Sequence, residues 1–460
     1  VEQKQTVTQA RKYIQMTTEP VHKLILELAV PTIFSMMVSS FYNVVDTYFV
    51  GKLGTSASAA IGINFSFMCI IQAIGFCFGQ GSGNYISREL GAKRNENAQV
   101  MAAIGYFSAF AAGILVMAMV FPLAEPLAGL LGSTPTILPY ASTFLGIICL
   151  GAPFMISSLV LNNQLRFQGN AKYGMVGIVS GAVLNIFLEP LFIFTLDLGM
   201  AGSAWATVLS QAMGMTVLLI MTYRGGNIPI RWQNFKPAYF FYKEIFLGGI
   251  PSLFRQGTES LGILILNLAA AAYGDAAVAA MAIVNRLTFM AAAVMIGFGQ
   301  GFQPVCGFNF GARLYSRVRQ AVFFLLKLLL SYTATIALIG YIWAPELVTV
   351  FRDDQEVIKI GTQAMRWQAL GFALSSPTML CNMTLQTTRQ TLGAIIMAMA
   401  RKGLFLIPYL LILPRYFGLD GVIASQPLSD ATGTLVAFAF MTVFLKRLPK
   451  QDGLEAALLK

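Results

Sequence analysis

The sequence is poor in charge and all but lacks histidine. Only 11% of its 460 residues are Asp, Glu, Lys or Arg, while 56% are hydrophobic. A soluble domain carries about 25% charged residues. So little polarity cannot clothe a cytosolic enzyme, a secreted disulfide scaffold or a disordered chain. His22 is the only histidine, which excludes an HExxH site, other His-based metal centres and Ser-His triads. The five cysteines, Cys69, Cys77, Cys149, Cys306 and Cys381, lie in or beside apolar stretches without CxxC spacing. They read as small packing residues.

Long apolar runs fill the space that charge leaves empty. Mean hydropathy is +0.68, and at about 20 residues per crossing plus a short loop the chain holds roughly a dozen spans. Twelve are read near 24–48, 56–80, 99–121, 137–161, 173–195, 201–221, 243–271, 277–301, 320–342, 360–385, 394–414 and 419–445. The expected fold is an all-α polytopic membrane protein. The net charge of +11 is topological and not the footprint of a nucleic acid. With the N-terminus inside, 23 of the 31 Lys and Arg fall in the tails and on the cytoplasmic side. Lys52, Arg352, Lys359 and Arg415 fall outside, and Arg255, Arg286, Lys327 and Arg366 fall in spans. This asymmetry predicts cytoplasmic N- and C-termini. Residues 1–23 are polar and run directly into a full span, so no cleavable signal peptide is expected.

The chain is duplicated. Laid on itself so that Pro31 falls on Pro251, the stretch 31–93 aligns without gaps on 251–313, with 15 of 63 positions identical. Phe78-Gly79-Gln80-Gly81 repeats as Phe298-Gly299-Gln300-Gly301, and a little further on Gly91-Ala92 and a base, Lys93, repeat as Gly311-Ala312 and Arg313. Apolar bias gives scattered matches, not collinear blocks. Gly199-x-x-Gly202 returns as Gly418-x-x-Gly421. Six spans per copy bring the chain back to its starting side. The expectation is therefore two six-helix lobes related by a pseudo-twofold along the membrane normal, with the substrate path between them. Residues 1–221 form the N-terminal lobe, 222–242 a cytoplasmic linker, and 243–460 the C-terminal lobe. Gly and Ala clusters such as Ala269-Ala270-Ala271-Ala272 favour close helix packing.

Acids within spans are functional candidates by default. Glu27, beside Lys23, reads as interfacial. Asp46 lies late in the first span, Glu189 late in the fifth and Thr207 early in the sixth, all at compatible depth in the outer half. Asn185 precedes Glu189 by four residues and shares its face, and Pro190 removes a backbone donor directly after it. A carboxyl in a poorly hydrated chamber holds a proton more tightly, and a second carboxylate beside it strengthens that hold. Such a set can load a proton on one side and release it on the other. The same oxygens are also suited to Na+, and a structural hydrogen-bond network is the bland alternative. In the repeat alignment Asp46 faces Leu266, Asn185 faces Phe405 and Glu189 faces Tyr409, so ion coupling is expected in the N-terminal lobe alone. Gln256 and Glu259 share roughly one face of span 7, where Glu259 reads either as a cavity acid attracting cationic substrates or as half of a structural pair. Arg255 is expected to reach Glu259 only by wrapping round the helix. Asp430 either lines the cavity similarly or pairs with Arg401 or Arg366. Pro31, inside the first span, is a hinge candidate. Pro251 repeats the proline without an equivalent acid.

These motifs resemble those of the multidrug and toxic compound extrusion (MATE) transporters. Leu28-Ala29-Val30-Pro31-Thr32-Ile33 leading to Asn43-Val44-Val45-Asp46-Thr47-Tyr48-Phe49-Val50-Gly51-Lys52-Leu53-Gly54 is close to that family's first-helix signature. The Phe78–Gly81 block, Arg166-Phe167-Gln168-Gly169-Asn170 and Asn185-Ile186-Phe187-Leu188-Glu189-Pro190 follow in family order. The opening Tyr13-Ile14-Gln15-Met16-Thr17-Thr18 is similar to a bacterial multidrug efflux subgroup. The resemblance implies twelve helices in two lobes, a V-shaped cleft, and export of organic cations driven by inward H+ or Na+. It places the cation site on Asp46, Asn185, Glu189 and Thr207, the bending proline on Pro31 and a cavity asparagine on Asn162. The family more often has Asp at the Glu189 position. One branch has a C-lobe sodium site built from a span-7 glutamate and a span-10 aspartate. Glu259 matches the first, but 360–385 contains no acid.

The sequence thus points to a monomeric antiporter in the bacterial inner membrane that exports amphipathic or cationic drugs by alternating access. Asp46, Asn185, Glu189 and Thr207 are its H+ or Na+ site, and no cofactor or nucleic acid is involved. A lipid or lipid-linked oligosaccharide flippase of related fold is the alternative. It would need a large basic cleft, and the four embedded cations are scattered.

Overall fold

A computed structural model describes residues 2–352 and 354–453 of the chain. Among the described residues every regular element is a helix. Nine helices are long and apolar enough to cross a bilayer, and a tenth crossing is made by Leu138–Leu150 and Ala152–Phe167, bent by 52° where they meet at Gly151. Pro139 and Pro153 stand at the starts of these two segments, where a missing N–H costs least. Tyr239–Ala271 and the broken pair Gln355–Leu374 and Ser376–Thr387 make up the remaining two. Both are more polar: the first carries Arg255, Gln256, Glu259 and Asn267, the second Gln363, Arg366 and Gln368. The protein is an all-α polytopic membrane protein with twelve transmembrane helices, six from each half of the chain. Several helices outrun the hydrocarbon. Thr55–Gly91 has 37 residues, about 56 Å at 1.5 Å per residue, so its ends stand in water or headgroups.

The duplication is written into the helix boundaries. Helix Val21–Gly51 is followed by Thr55–Gly91 and by a helix starting at Asn95. At the matching positions of the second copy, Tyr239–Ala271 is followed by Asp275–Gly311 and by a helix starting at Tyr315. Each turn repeats its conformation. Gly54 and Gly274 have φ of 120° and 97°, Lys93 and Arg313 59° and 58°, Gly169 and Arg389 77° and 65°. The recurring base after Gly-Ala therefore holds a left-handed helix cap, where Arg94 N bonds back to Glu89 O. A cation there also suits the negative end of the helix dipole.

Close packing repeats as well. Gly75, Gly79 and Gly83, spaced one turn apart, receive Leu159, Asn163 and Phe167 of the facing helix. Gly299 receives Met383, the repeat counterparts of Gly79 and Asn163. In a membrane, where apolar side chains gain nothing by leaving lipid, such small-residue grooves supply the association.

Contacts divide the chain into two compact units. The first holds the residues up to Glu19 with Val30–Leu253 and Gly307–Ala312; the second holds Pro20–Ala29, Phe254–Cys306 and the chain from Arg313 onward. In two helices the assignment changes beside a proline, at Ala29/Val30 next to Pro31 and at Leu253/Phe254 after Pro251. The stretch 222–242 packs into the first unit. Gly225 and Gly226 turn the backbone at φ 63° and 72°. Ile228 N donates to Gln168 Oε1 at 2.7 Å, and Trp232 and Phe235, stacked on each other, meet Phe107 edge to face. Residues 454–460, expected in the C-terminal half, lie outside the described residues.

Candidate functional site

Helices Ala171–Pro190 and Gly199–Thr222 form a tight hairpin in the first unit. Gly202 lies against the Phe192 backbone, leaving no space for a Cβ, and Gly181 lies against Ser210 O with barely room for one. The proline after Glu189 shapes the turn. Lacking an N–H, Pro190 cannot close the ladder to Ile186, and the helix widens at once into a π segment, Leu191–Thr195, with Leu196 N bonded to Leu191 O. Such widened turns are frequent at functional sites.

This hairpin and the C-terminal part of Val21–Gly51 enclose a polar chamber. Ser203 Oγ lies 3.3 Å from Asp46 Oδ1 and 3.4 Å from Glu189 Oε1. The two carboxyl groups are within hydrogen-bonding reach of each other. Asn185 Nδ2 donates to Thr207 Oγ1 at 3.5 Å, and the Tyr42 hydroxyl hydrogen-bonds Thr207. Glu189, Asn185, Ser203 and Thr207 are buried at 0, 1, 0 and 3% exposure, while Asp46 is half-buried. The second oxygen of Glu189 and the carbonyl oxygen of Asn185 meet no donor among the described residues. A buried oxygen of this kind costs roughly 1–3 kcal/mol unless something supplies the missing partner. Among the described residues the chamber is acceptor-rich and holds no base, so it suits a proton or a small hard cation.

The structure thus brings Asp46, Asn185, Glu189 and Thr207 together. Two further members, Ser203 and Tyr42, were missed by sequence reasoning although the signal was available. Ser203 precedes Thr207 by four residues and Tyr42 precedes Asp46 by four, the spacing that linked Asn185 to Glu189. Asn162 is elsewhere: its side chain meets Gly174, fifteen residues and about 22 Å along the helix from Glu189. Pro31 lies inside the unbroken helix Val21–Gly51.

Gln256 and Glu259 are half-buried in the second unit, and two expectations are corrected there. Arg255 need not wrap round the helix: four residues before Glu259, it is a direct neighbour on the helix surface and interacts with it electrostatically. Arg401 and Lys402, counted with the cytoplasmic charges, lie within the span Thr391–Phe417. They sit on a second π segment, Ala400–Leu404, which ends four residues before Pro408, a residue with no N–H to donate to Leu404 O. Arg401 Nε bonds to Asp430 Oδ1 at 2.6 Å, so Arg401 and not Arg366 is its partner. Gln426 Nε2 donates to the same oxygen at 3.2 Å. Lys402 feels both Glu259 and Asp430.

A family model named MatE matches this chain twice, over residues 31–191 and 251–412. The chain belongs to the MatE family. The two matches begin at the paired prolines Pro31 and Pro251 and so coincide with the internal repeat. Among characterised proteins it is similar to multidrug export protein MepA of Staphylococcus aureus, 28% identical over 434 residues, 93% of this chain and 95% of that one. It is equally similar, at 28%, to MepA of Staphylococcus haemolyticus, over 92% of this chain and 93% of that one. Among solved structures it shares its fold with a MOP superfamily transporter from Pyrococcus furiosus, with a TM-score of 0.89 and 23% identity, covering 95% of this chain and 99% of that one. A MATE in its bent conformation gives a TM-score of 0.90 with 24% identity, covering 97% and 99%. This MatE protein is a multi-pass membrane transporter and not an enzyme.

Proposed function

We propose that this MatE protein exports amphipathic and cationic drugs from the bacterial cytoplasm in exchange for H+ or Na+, by alternating access. Its relatives in Staphylococcus are multidrug export proteins, and the fold is that of the family's transporters. One observation carries the coupling assignment: Asp46 and Glu189 lie within reach of each other, bridged by Ser203, in a chamber with no base among its described residues. Two carboxylates so placed in a dry site do not both stay ionised. One proton, or one Na+ held with the Asn185 and Thr207 oxygens, restores the balance, and losing it charges the chamber. Pro31, fifteen residues before Asp46 on the same helix, is the place where that change bends the helix and alters the drug cavity. The charge asymmetry of the loops orients the protein with both termini in the cytoplasm of a bacterial inner-membrane protein.

Purified protein in liposomes, given separately imposed pH and sodium gradients, tests the assignment through export of a cationic dye. Asp46→Asn and Glu189→Gln are expected to abolish gradient-driven export while the protein still folds and still binds dye. Export driven equally well by both variants would refute the site.

A further inference from the structure

Helices Tyr315–Ile342 and Leu419–Arg447 of the second unit both pack on Ser376–Thr387, leaving a groove of about 570 Å³ between them. Its walls are apolar stripes at helical spacing: Phe323 and Leu326 on one side, Phe438, Met441 and Leu445 on the other. Phe438 is 48% exposed, as a side chain facing hydrocarbon is. Among the described residues the charges lining the groove are all positive and all at one end. Arg319 stands one turn into its helix, Lys446 in the last turn of the other, and Lys450 just beyond it.

That end is held in place. Arg319 Nη2 donates to the carbonyls of Leu448 and Pro449, each at 2.8 Å, fixing the chain that carries Lys450. Asp452, the nearby acid, accepts from Ser316 N at 2.8 Å and faces Arg317, so it is engaged at the helix start and does not line the groove. From Arg319 to Leu326 the apolar floor falls about 10 Å below the charged rim. The shape matches one molecule with an anionic head at the interface and an alkyl chain below it. Basic pockets between transmembrane helices at a membrane surface bind anionic lipid headgroups. Among the described residues the lining offers no carboxylate to a zwitterionic lipid's ammonium group.

We propose that this groove is a binding site for an anionic phospholipid, with Lys446 and Lys450 at its phosphate and an acyl chain lying between Phe438 and Leu326. Native mass spectrometry of the full chain, titrated with dioleoyl phosphatidylglycerol or dioleoyl phosphatidylcholine, tests it without reference to transport. The parent protein is expected to hold one phosphatidylglycerol at least about tenfold more tightly than phosphatidylcholine, a gap near 1.4 kcal/mol. Lys446→Gln with Lys450→Gln should erase that preference. Met441→Trp, which fills the groove and keeps the cations, should weaken both lipids. Unchanged phosphatidylglycerol binding in either variant, or equal affinity of the parent for the two lipids, would overturn the proposal. Unchanged thermal unfolding of the surface double variant shows that a loss of binding is not a loss of fold.

Discussion

Each unit of this transporter holds a pair of acids, one buried and one half-buried, and the two pairs are handled in opposite ways. In the first, Asp46 and Glu189 are surrounded by hydroxyls and an amide, with no base among their described partners. In the second, Asp430 is clamped by Arg401 at 2.6 Å, and Glu259 interacts with Arg255 and Lys402. The two halves share several helix ends and turn conformations. The chemistry placed on them has diverged. A pair that carries its own counter-charges is balanced in charge without an ion from outside. A pair without them must take its positive charge from outside, which is what a coupling site does each cycle.

The largest expected difference comes from removing one acid of each pair. Glu189→Gln takes away a buried carboxyl that no cation balances, so unfolding of the purified protein should be unchanged or slightly harder, while ion-driven export is lost. Asp430→Asn leaves Arg401 without its counter-ion in the interior, a change that typically costs about 3–5 kcal/mol, and should lower the thermal midpoint clearly. If both variants unfold alike, the contrast between the units is not electrostatic.

A middle-sized effect tests the scaffold. Gly202 and Gly421 occupy corresponding hairpins, and a Cβ on either would sit 2.7 or 2.4 Å from the backbone of the facing segment. Ala at each position forces a backbone shift costing roughly 1–3 kcal/mol. Because the geometry is duplicated, the two losses should match within about 1 kcal/mol, the scale of measured context effects. Chemical denaturation of the two variants makes the comparison. Unequal losses would mean that the halves have diverged in packing as well as in charge.

Much of this contrast was legible before any coordinates. The apolar runs gave the class of fold, since composition alone dictates burial in lipid. The repeat, read from Phe78–Gly81 and its copy, anticipated that the two halves share a helix pattern, although both helices run past the spans read at 56–80 and 277–301, to Gly91 and Gly311. Depth and spacing placed Asp46, Asn185, Glu189 and Thr207 together because helical periodicity fixes both height and face. Ser203 and Tyr42 were legible by the same rule, each four residues before a named member of the set, but a hydroxyl in an apolar helix stands out less than a carboxyl. The second unit was harder. Residues 401 and 402 lie in the apolar run 394–414, and spacing alone does not say which acids they meet; in the structure Arg401 reaches Asp430, and Lys402 feels both Glu259 and Asp430.

The smallest expected effect probes the link between the two acids. Ser203→Ala removes one hydroxyl that reaches Asp46 at 3.3 Å and Glu189 at 3.4 Å, and it introduces no charge. A neutral hydrogen bond contributes about 0.5–1.5 kcal/mol, so the ion concentration that half-saturates transport should shift by about three- to tenfold, since 1.4 kcal/mol is tenfold in affinity. Maximal export at saturating gradient should be nearly retained, because both carboxyls remain. Thr432→Ala is the matching change in the second unit, where Thr432 contacts the Tyr409 hydroxyl at 2.9 Å; Tyr409 is the repeat equivalent of Glu189. It should leave the half-saturating concentration where it was. A shift in the second variant as large as in the first would place ion binding in both units and dissolve the asymmetry.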